Sequence, residues 1–326
     1  MGSQAVKPPA FVHVDLDGLW TLARCYGYPD QDSFDDDAVF TTGLPRLIEL
    51  LDDLELRATF FMSGRDLEYP AKKDAVRRLI ADGHEPASHG WGHDLDYGRW
   101  DVEELGTVLE RTNQAIEQAT GQRPTGFRAP GYSVSPGVLQ ACVNAGLRYD
   151  GSVLPTPWGP ILHRLANGLR RRVQAELGLA KPALEVGVTG QYQSAWSGRT
   201  GWVEVGPGAR RIFCLPLVVS PWLRLPVHAS LGMLMGAARV RGALRVLARR
   251  GAPITYLLHG VDTLGREDLE GRLPRCLLSS QGFRMPLKPK IDFLRSVLTE
   301  LKHIADVQLS VDWLRKSYPT ELEANE

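Results

Sequence analysis

Apolar positions along the chain fall into two patterns, short runs and stretches of helical period. Residues 10–14 (AFVHV) are a compact run ending at the polar DLD of residues 15–17, which predicts a buried first strand. A helix is predicted over 44–54, and RATFFM (57–62) is a second strand. The next helix spans 71–82 and stops at Gly83, in the position where a helix C-terminus favours glycine. HEPASH (84–89) is a short strand. Residues 102–120 alternate apolar and charged positions at helical period up to Gly121. GFRAP (126–130) marks another strand end, followed by a helix over 136–145 and a strand at 147–149.

Short strands alternating with helices predict parallel β/α units. Asp15, Asp17, His89, His93 and Arg128 all fall just after predicted strands. In α/β barrels and open sheets that is the C-terminal face, where the chemistry sits. The rhythm breaks over 155–250, which holds WGP, several glycines, the apolar run RIFCLPLVV and a predicted helix over 229–250. It resumes with PITYLLHG (253–260), a helix near 288–302 and a strand near 306–309. The expected architecture is α/β: a barrel-like catalytic domain built from 10–154 and 251–317. Residues 155–250 form a basic, partly helical insertion before the last strands, and 1–9 and 318–326 are flexible ends.

Composition adds a soluble, globular profile, with 43% hydrophobic and 23% charged residues. Formal net charge is zero, so no global field points to a polyanion, and no nucleic-acid motif or stacking array is present. The charge is unevenly placed. Between Val205 and Val261 there is no Asp or Glu, while Arg210, Arg211, Arg224, Arg239, Arg241, Arg245, Arg249 and Arg250 all lie there. Upstream, ILHRLANGLRRRVQ adds Arg164, Arg170, Arg171 and Arg172. Basic residues mixed with Leu, Trp and Met over 161–250 point to an anionic membrane surface or a clamp on a phosphate. The plainer reading is an arginine-rich helix with its guanidiniums in water. MGSQAVKPPA lacks the apolar stretch of a signal peptide and the Ser or Thr of a myristoylation site. No apolar run approaches the ~20 residues that span a bilayer. Cys25, Cys142, Cys214 and Cys276 are scattered without a C-x-x-C pair, which fits reduced thiols. The expected location is cytoplasmic, with peripheral contact on the inner face of the membrane as an extension of that reading.

The candidate chemistry begins with H-x-x-x-H. Hydrolysis at a divalent metal needs a few protein ligands and an open position for water. His89 and His93 can offer imidazole nitrogens, and Asp17 a carboxylate. Asp15, two residues away, can serve as base, and His259 in LLHGVD as proton donor to a leaving group. Taken singly, each has a plainer role. Asp15 and Asp17 could cap the next segment, and His89 and His93 could be polar loop residues. Arg128 could be a structural ion pair, and His259 a buried, hydrogen-bonded histidine. Asp94, Asp96 and Asp262 read as ordinary polar neighbours, and Asp150 in YDGSV either touches the site or ends a strand.

In order, VDLDG, ASHGWGH, FRAPGY and LLHG resemble the motifs of the polysaccharide deacetylase family, also called carbohydrate esterase family 4 or NodB-like. The likeness covers residues 11–150 and 253–314. It implies a distorted (β/α) barrel, with Asp15 as base and Asp17, His89 and His93 holding a divalent metal. It further implies that Arg128 orients the base, that His259 is the general acid, and that a backbone N–H near Tyr132 helps hold the oxyanion. Zinc is the expected metal, with cobalt, manganese, nickel or iron compatible with the same donors. The first motif is D-x-D rather than D-D. That form resembles the branch with cytoplasmic peptidoglycan-deacetylase-like proteins, cyclic-amide hydrolases and lipid-linked formamido-sugar deformylases, some of which have altered or lost metal use. The expected activity is removal of an acetyl or formyl group from the nitrogen of an amino sugar, free or lipid-phosphate-linked. The alternatives are an allantoinase-like cyclic-amide hydrolase and a non-catalytic glycan or lipid binder on the same scaffold.

Overall fold

Strand β1 (Pro9–Leu16) is buried on both faces, which is why its sequence reads as a continuous apolar run. Ala10, Val12, Val14 and Leu16 face one way, into the large core shared with the helices. Phe11 faces the other way, into a second cluster with Phe61, Tyr149 and Phe213. The two-residue period puts His13 and Asp15 on that same inner face. The computed structural model describes residues 7–25, 37–176, 178, 200–206, 210–273 and 285–323.

The elements follow the predicted alternation. After β1 come α1 (Leu19–Cys25), α2 (Leu44–Asp53), β2 (Thr59–Met62), α3 (Pro70–Ala81) and β3 (Glu85–Ser88). Then come α4 (Val102–Thr120), β4 (Gly126–Phe127), α5 (Pro136–Asn144), β5 (Tyr149–Asp150) and α6 (Gly159–Glu176). The chain continues with β6 (Gly201–Glu204), β7 (Arg211–Cys214), α7 (Ala229–Met235), α8 (Ala237–Arg249) and β8 (Ile254–His259). It closes with α9 (Arg266–Leu269), α10 (Leu287–Ile304), β9 (Asp306–Val307), α11 (Ser310–Ser317) and α12 (Pro319–Glu323).

The strands lie in the order β6-β7-β5-β4-β3-β2-β1-β8, with β9 also on β1. All neighbours are parallel except β6 and β7. The sheet curls into a half-barrel. The segment after β7 crosses toward the far edge, where the Val218 N–H donates to Thr255 O on β8. Helices cover the outer face because each buries one apolar stripe: Leu44, Leu47, Leu50 and Leu51 on α2, and Phe293, Leu294, Val297, Leu298 and Leu301 on α10. Each such side chain contributes roughly 1.5–3 kcal/mol on burial.

Three expectations about this architecture meet a different arrangement. The helix expected over 229–250 is two helices, broken at Gly236 with φ 85° and ψ 145°. Only glycine reaches that conformation without strain, and the break lets α7 pack on β8 while α8 packs on α10. Within the span 155–250, expected as an insertion, β7 pairs parallel with β5 and carries the sheet onward. Residues 318–323, expected as part of a loose tail, include α12. Tyr318 and Leu322 there pack with Trp202 and Trp313 against the Phe213 cluster. Residues 1–6 and 324–326 lie outside the described residues, while Pro9 is already paired with Asp306. Cys25, Cys142 and Cys214 are free thiols, and Cys276 lies outside the described residues. No helix among the described residues is long and apolar enough to cross a membrane.

Candidate active site

Asp15 and Asp17 sit at the C-terminal end of β1 because the strand stops there. The two backbone N–H groups that follow are held by acidic side chains from elsewhere. Gly18 N–H donates to Asp66 Oδ2 at 3.2 Å and Leu19 N–H to Asp37 Oδ2 at 2.9 Å. The fully buried ammonium of Lys72 joins these carboxylates, at 2.9 Å from Asp37 and 2.5 Å from Asp66. The turn that presents Asp17 is thus built on a buried ion triad that no local sequence pattern announces.

His89 and His93 leave the end of β3 in a loop with two left-handed residues, Gly90 (φ 73°) and His93 (φ 52°). A Cβ on Gly90 would also meet the Tyr97 hydroxyl, so the position takes only glycine. His93 has no such freedom, and its left-handed backbone is a local strain of the kind that gathers at functional sites. Arg24 on α1 braces the loop, donating to Gly92 O at 2.7 Å and pairing with Asp94 at 2.5 Å. Asp96 accepts from the Trp100 indole.

The two imidazoles converge on Asp17. His89 Nε2 lies 3.5 Å from Asp17 Oδ1, and His93 Nε2 lies 3.6 Å from Oδ2. One donor atom from each of the three residues falls within 4.8 Å of the others, and among the described residues this is the single such His, Cys, Asp or Glu group. The chemistry of these atoms calls for a cation. His89 Nδ1 faces the Arg128 carbonyl at 2.8 Å. A carbonyl only accepts, so Nδ1 carries the proton and Nε2 turns a bare lone pair toward the carboxylate. Burial keeps the His89 ring from charging, pushing its pKa down. Asp17 Oδ1 is buried without a hydrogen-bond partner. Burial opposes ionisation of Asp17, but His93 and His89 outweigh it and hold the carboxyl well below the usual range. A carboxylate and a lone pair facing each other in a buried space fit a divalent metal ion.

Asp15 is held from two sides. Arg128, fully buried, donates from Nη1 to Asp15 Oδ1 at 3.0 Å and from Nε to Gly151 O at 3.0 Å, with its guanidinium 4.3 Å over the Phe61 ring. On the other side, the β1–β8 register sets His259 directly across from Asp15, and His259 Nε2 lies 3.9 Å from Asp15 Oδ2. Burial lowers the His259 pKa. The Asp262 carboxylate, followed by Asp15 and Asp17, overrides that effect and raises it to about 9. Ser230 on α7 bridges the pair, 3.2 Å from His259 Nδ1 and donating to Asp262 Oδ1 at 3.1 Å.

The structure therefore brings Asp15, Asp17, His89, His93, Arg128 and His259 together. Tyr132 lies in the adjacent turn with φ 61°, but its N–H already donates to Ala129 O at 3.0 Å. Asp150 ends β5 and takes both the hydroxyl and the N–H of Ser152, whose oxygen in turn accepts from Ala129 N–H. Sequence reasoning treated Asp262 as a bystander and did not single out His13, Ser230 or Lys72. Asp262 carried a signal, three residues after His259 at a strand end. So did His13, a polar residue in phase with Asp15 on an apolar strand.

Residues 33–149 match the family model for polysaccharide deacetylase. Over that stretch the chain is similar to the polysaccharide deacetylase family. It is 27% identical over 156 residues to the peptidoglycan deacetylase of Helicobacter pylori, an alignment covering 47% of this chain and 52% of that one. It is 38% identical over 132 residues to the chitooligosaccharide deacetylase of Sinorhizobium fredii, covering 39% and 58%. The chain thus spans between about half and three fifths of the length of these two relatives. Among solved structures, a Mycobacterium smegmatis protein provisionally described as a polysaccharide deacetylase superposes with a TM-score of 0.58 at 17% identity, covering 98% of this chain and 93% of that one. An allantoinase gives 0.57 at 14% identity, covering 96% and 90%. These two similarities establish the shared barrel fold. Asp15, Asp17 and His259 lie outside the stretch matched by the family model, so their assignment to the site rests on the geometry.

Proposed function

We propose that the chain is a metal-dependent hydrolase that removes an acetyl or formyl group from the nitrogen of an amino sugar. The observation that carries this reading is Asp15, clamped between Arg128 and His259 two residues before Asp17, which would hold the metal. Curated relatives that act on peptidoglycan and chitooligosaccharides support the amino-sugar class. Asp17, His89 and His93 would hold the ion, zinc first, with cobalt, manganese, nickel or iron also suited to the donors. When bound, the ion supplies Lewis acidity that polarises the acyl carbonyl and acidifies water. Asp15 accepts the proton of the attacking water, with Arg128 fixing the orientation of its carboxylate. His259, charged below about pH 9, faces the same space and gives a proton to the departing amine as the C–N bond breaks. The products are a carboxylate and a free amino sugar. Tyr132 would reach the acyl oxygen by its N–H only on leaving Ala129 O.

The finer reading is a glycan still attached to a lipid phosphate, met at the cytoplasmic face of the membrane. It is supported by where exposed apolar side chains lie. Trp222 (82% exposed), Leu165 (66%), Leu223 (60%) and Ile161 (49%) all fall in the basic span 161–250. Trp158 Nε1 donates to Leu223 O, tying the 222–223 turn to the start of α6. Exposed Arg164 and Arg172 flank Ile161 and Leu165 on α6. Apolar residues set among arginines are what an anionic interface takes up.

The test is a panel of N-acetylated chitooligosaccharides, peptidoglycan fragments, a lipid-linked formamido sugar and allantoin, with release of acetate, formate or ring-opened product measured. Acyl release from an amino sugar, lost in Asp15→Asn, supports the reading. Turnover of allantoin alone would move the chain to the cyclic-amide hydrolases. Equal rates on lipid-linked and free sugars, with and without anionic vesicles, would remove the membrane part.

A further inference from the structure

We propose that His13 and Ser310 form a buried positioning element that fixes the Arg128 guanidinium and, through it, Asp15. The inference rests on the reading of Asp15 as the base. It deepens that reading by naming what holds the base's orienting arginine.

His13 is fully buried on the inner face of β1, two residues before Asp15. Its Nδ1 is hydrogen-bonded to Arg128 Nη2. A guanidinium has donors and no acceptor, so Nδ1 must accept, and the imidazole proton must sit on Nε2. Nε2 then donates to Ser310 Oγ at 2.7 Å. Burial and the neighbouring Arg128 both hold His13 neutral, as this tautomer requires. Nη1, Nε and Nη2 of Arg128 thus go to Asp15, Gly151 O and His13, which leaves its plane little freedom. Ser310 is itself anchored. It opens α11, and the next residue, Val311, donates its N–H to Glu85 Oε2 on β3 at 3.3 Å. The start of α11 therefore plugs the barrel and sets the tautomer of the histidine that positions the arginine.

A merely structural histidine would be needed for folding and nothing more. The two roles separate in His13→Asn and His13→Leu, both first checked by thermal melting. Asn can place its Oδ1 near Nδ1 and accept from Nη2, whereas Leu cannot. With an N-acetylated chitooligosaccharide as probe, His13→Leu is expected to lower kcat by about 10- to 100-fold with KM and metal content unchanged, and His13→Asn to restore most of it. Independently of activity, 15N NMR of the imidazoles should show His13 as the Nε2–H tautomer at neutral pH. The Arg128 Nη signals should be resolved in the wild type and in His13→Asn, and averaged by rotation in His13→Leu. An imidazolium or Nδ1–H tautomer would overturn the proposal, as would unchanged Arg128 signals in His13→Leu. Equal kcat in two folded variants would also overturn it. The NMR outcomes stand even if the sugar probe is not a substrate.

Discussion

Asp262 binds His259 twice. Its Oδ2 accepts the His259 N–H at 2.8 Å and also lies 3.7 Å from the imidazole Nδ1. The carboxylate therefore fixes both the backbone and the charge of the proposed acid. His259 is the case of a pKa raised by a partner: the charged form is held below about pH 9 and lost above it. An acid that must be charged loses rate as pH rises through that value. Asp262→Asn removes the leading contribution that raises it. We expect the alkaline limb of kcat/KM to move down by roughly one pH unit or more, toward the ordinary histidine range. A pH profile of both proteins checks this, and an unmoved limb would assign it to another group.

Metal binding should follow the three convergent donors. Purified protein is expected to carry about one divalent ion per chain by elemental analysis, with Asp17→Ala and His93→Ala both losing it. Retention in either variant would remove that residue from the ligand set.

The Lys72 triad should govern stability and site together. Lys72→Met leaves the Asp37 and Asp66 carboxyls buried without their cation, a loss of about 3–5 kcal/mol for a broken buried pair. Burial already pushes the Asp66 carboxyl up to about 6, with Lys72 opposing it. Because Asp37 and Asp66 hold the two N–H groups after Asp17, metal affinity should fall as well. Denaturant melts and metal titration test the two effects separately.

Glu85 sets a second dependence on pH, away from the site. Burial raises its carboxyl from 4.5 to about 7, although Thr59, Tyr149 and Val311 all donate to it. The folded state thus binds a proton that the unfolded chain has released between those values. This stabilisation is complete below about pH 4.5 and is lost as pH rises through about 7, amounting to about 3 kcal/mol. Glu85→Gln, which mimics the protonated group, should flatten that part of the stability–pH curve. Denaturation at pH 5 and pH 8 measures the difference, and an equal slope in both proteins would clear Glu85.

Much of this was legible in the chain. The alternation of apolar runs and amphipathic stretches has a local cause, the periods of strand and helix, so the strands and helices flanking the site were readable from neighbouring residues. The same holds for the residue types of D-x-D, H-x-x-x-H and the arginine after the fourth strand, since each motif is complete within one turn of chain. Gly83 and Gly121 mark helix ends, and both adopt the left-handed backbone such ends require. Gly236 carried a comparable signal, but the apolar and basic period on either side of it hid the break.

What sequence alone determined, then, was the inventory: which donors exist, in which order, at which strand ends. Tertiary structure decided which of them meet. The β1–β8 register sets Asp15 across from His259, and the curl of the sheet brings Arg128 to Asp15. A plugging helix carries Ser310 to His13, and α3 delivers Lys72 beneath the turn at Asp17. These contacts join residues far apart in the chain. They depend on how layers pack and on where buried charge finds a partner, and local periodicity carries no record of either.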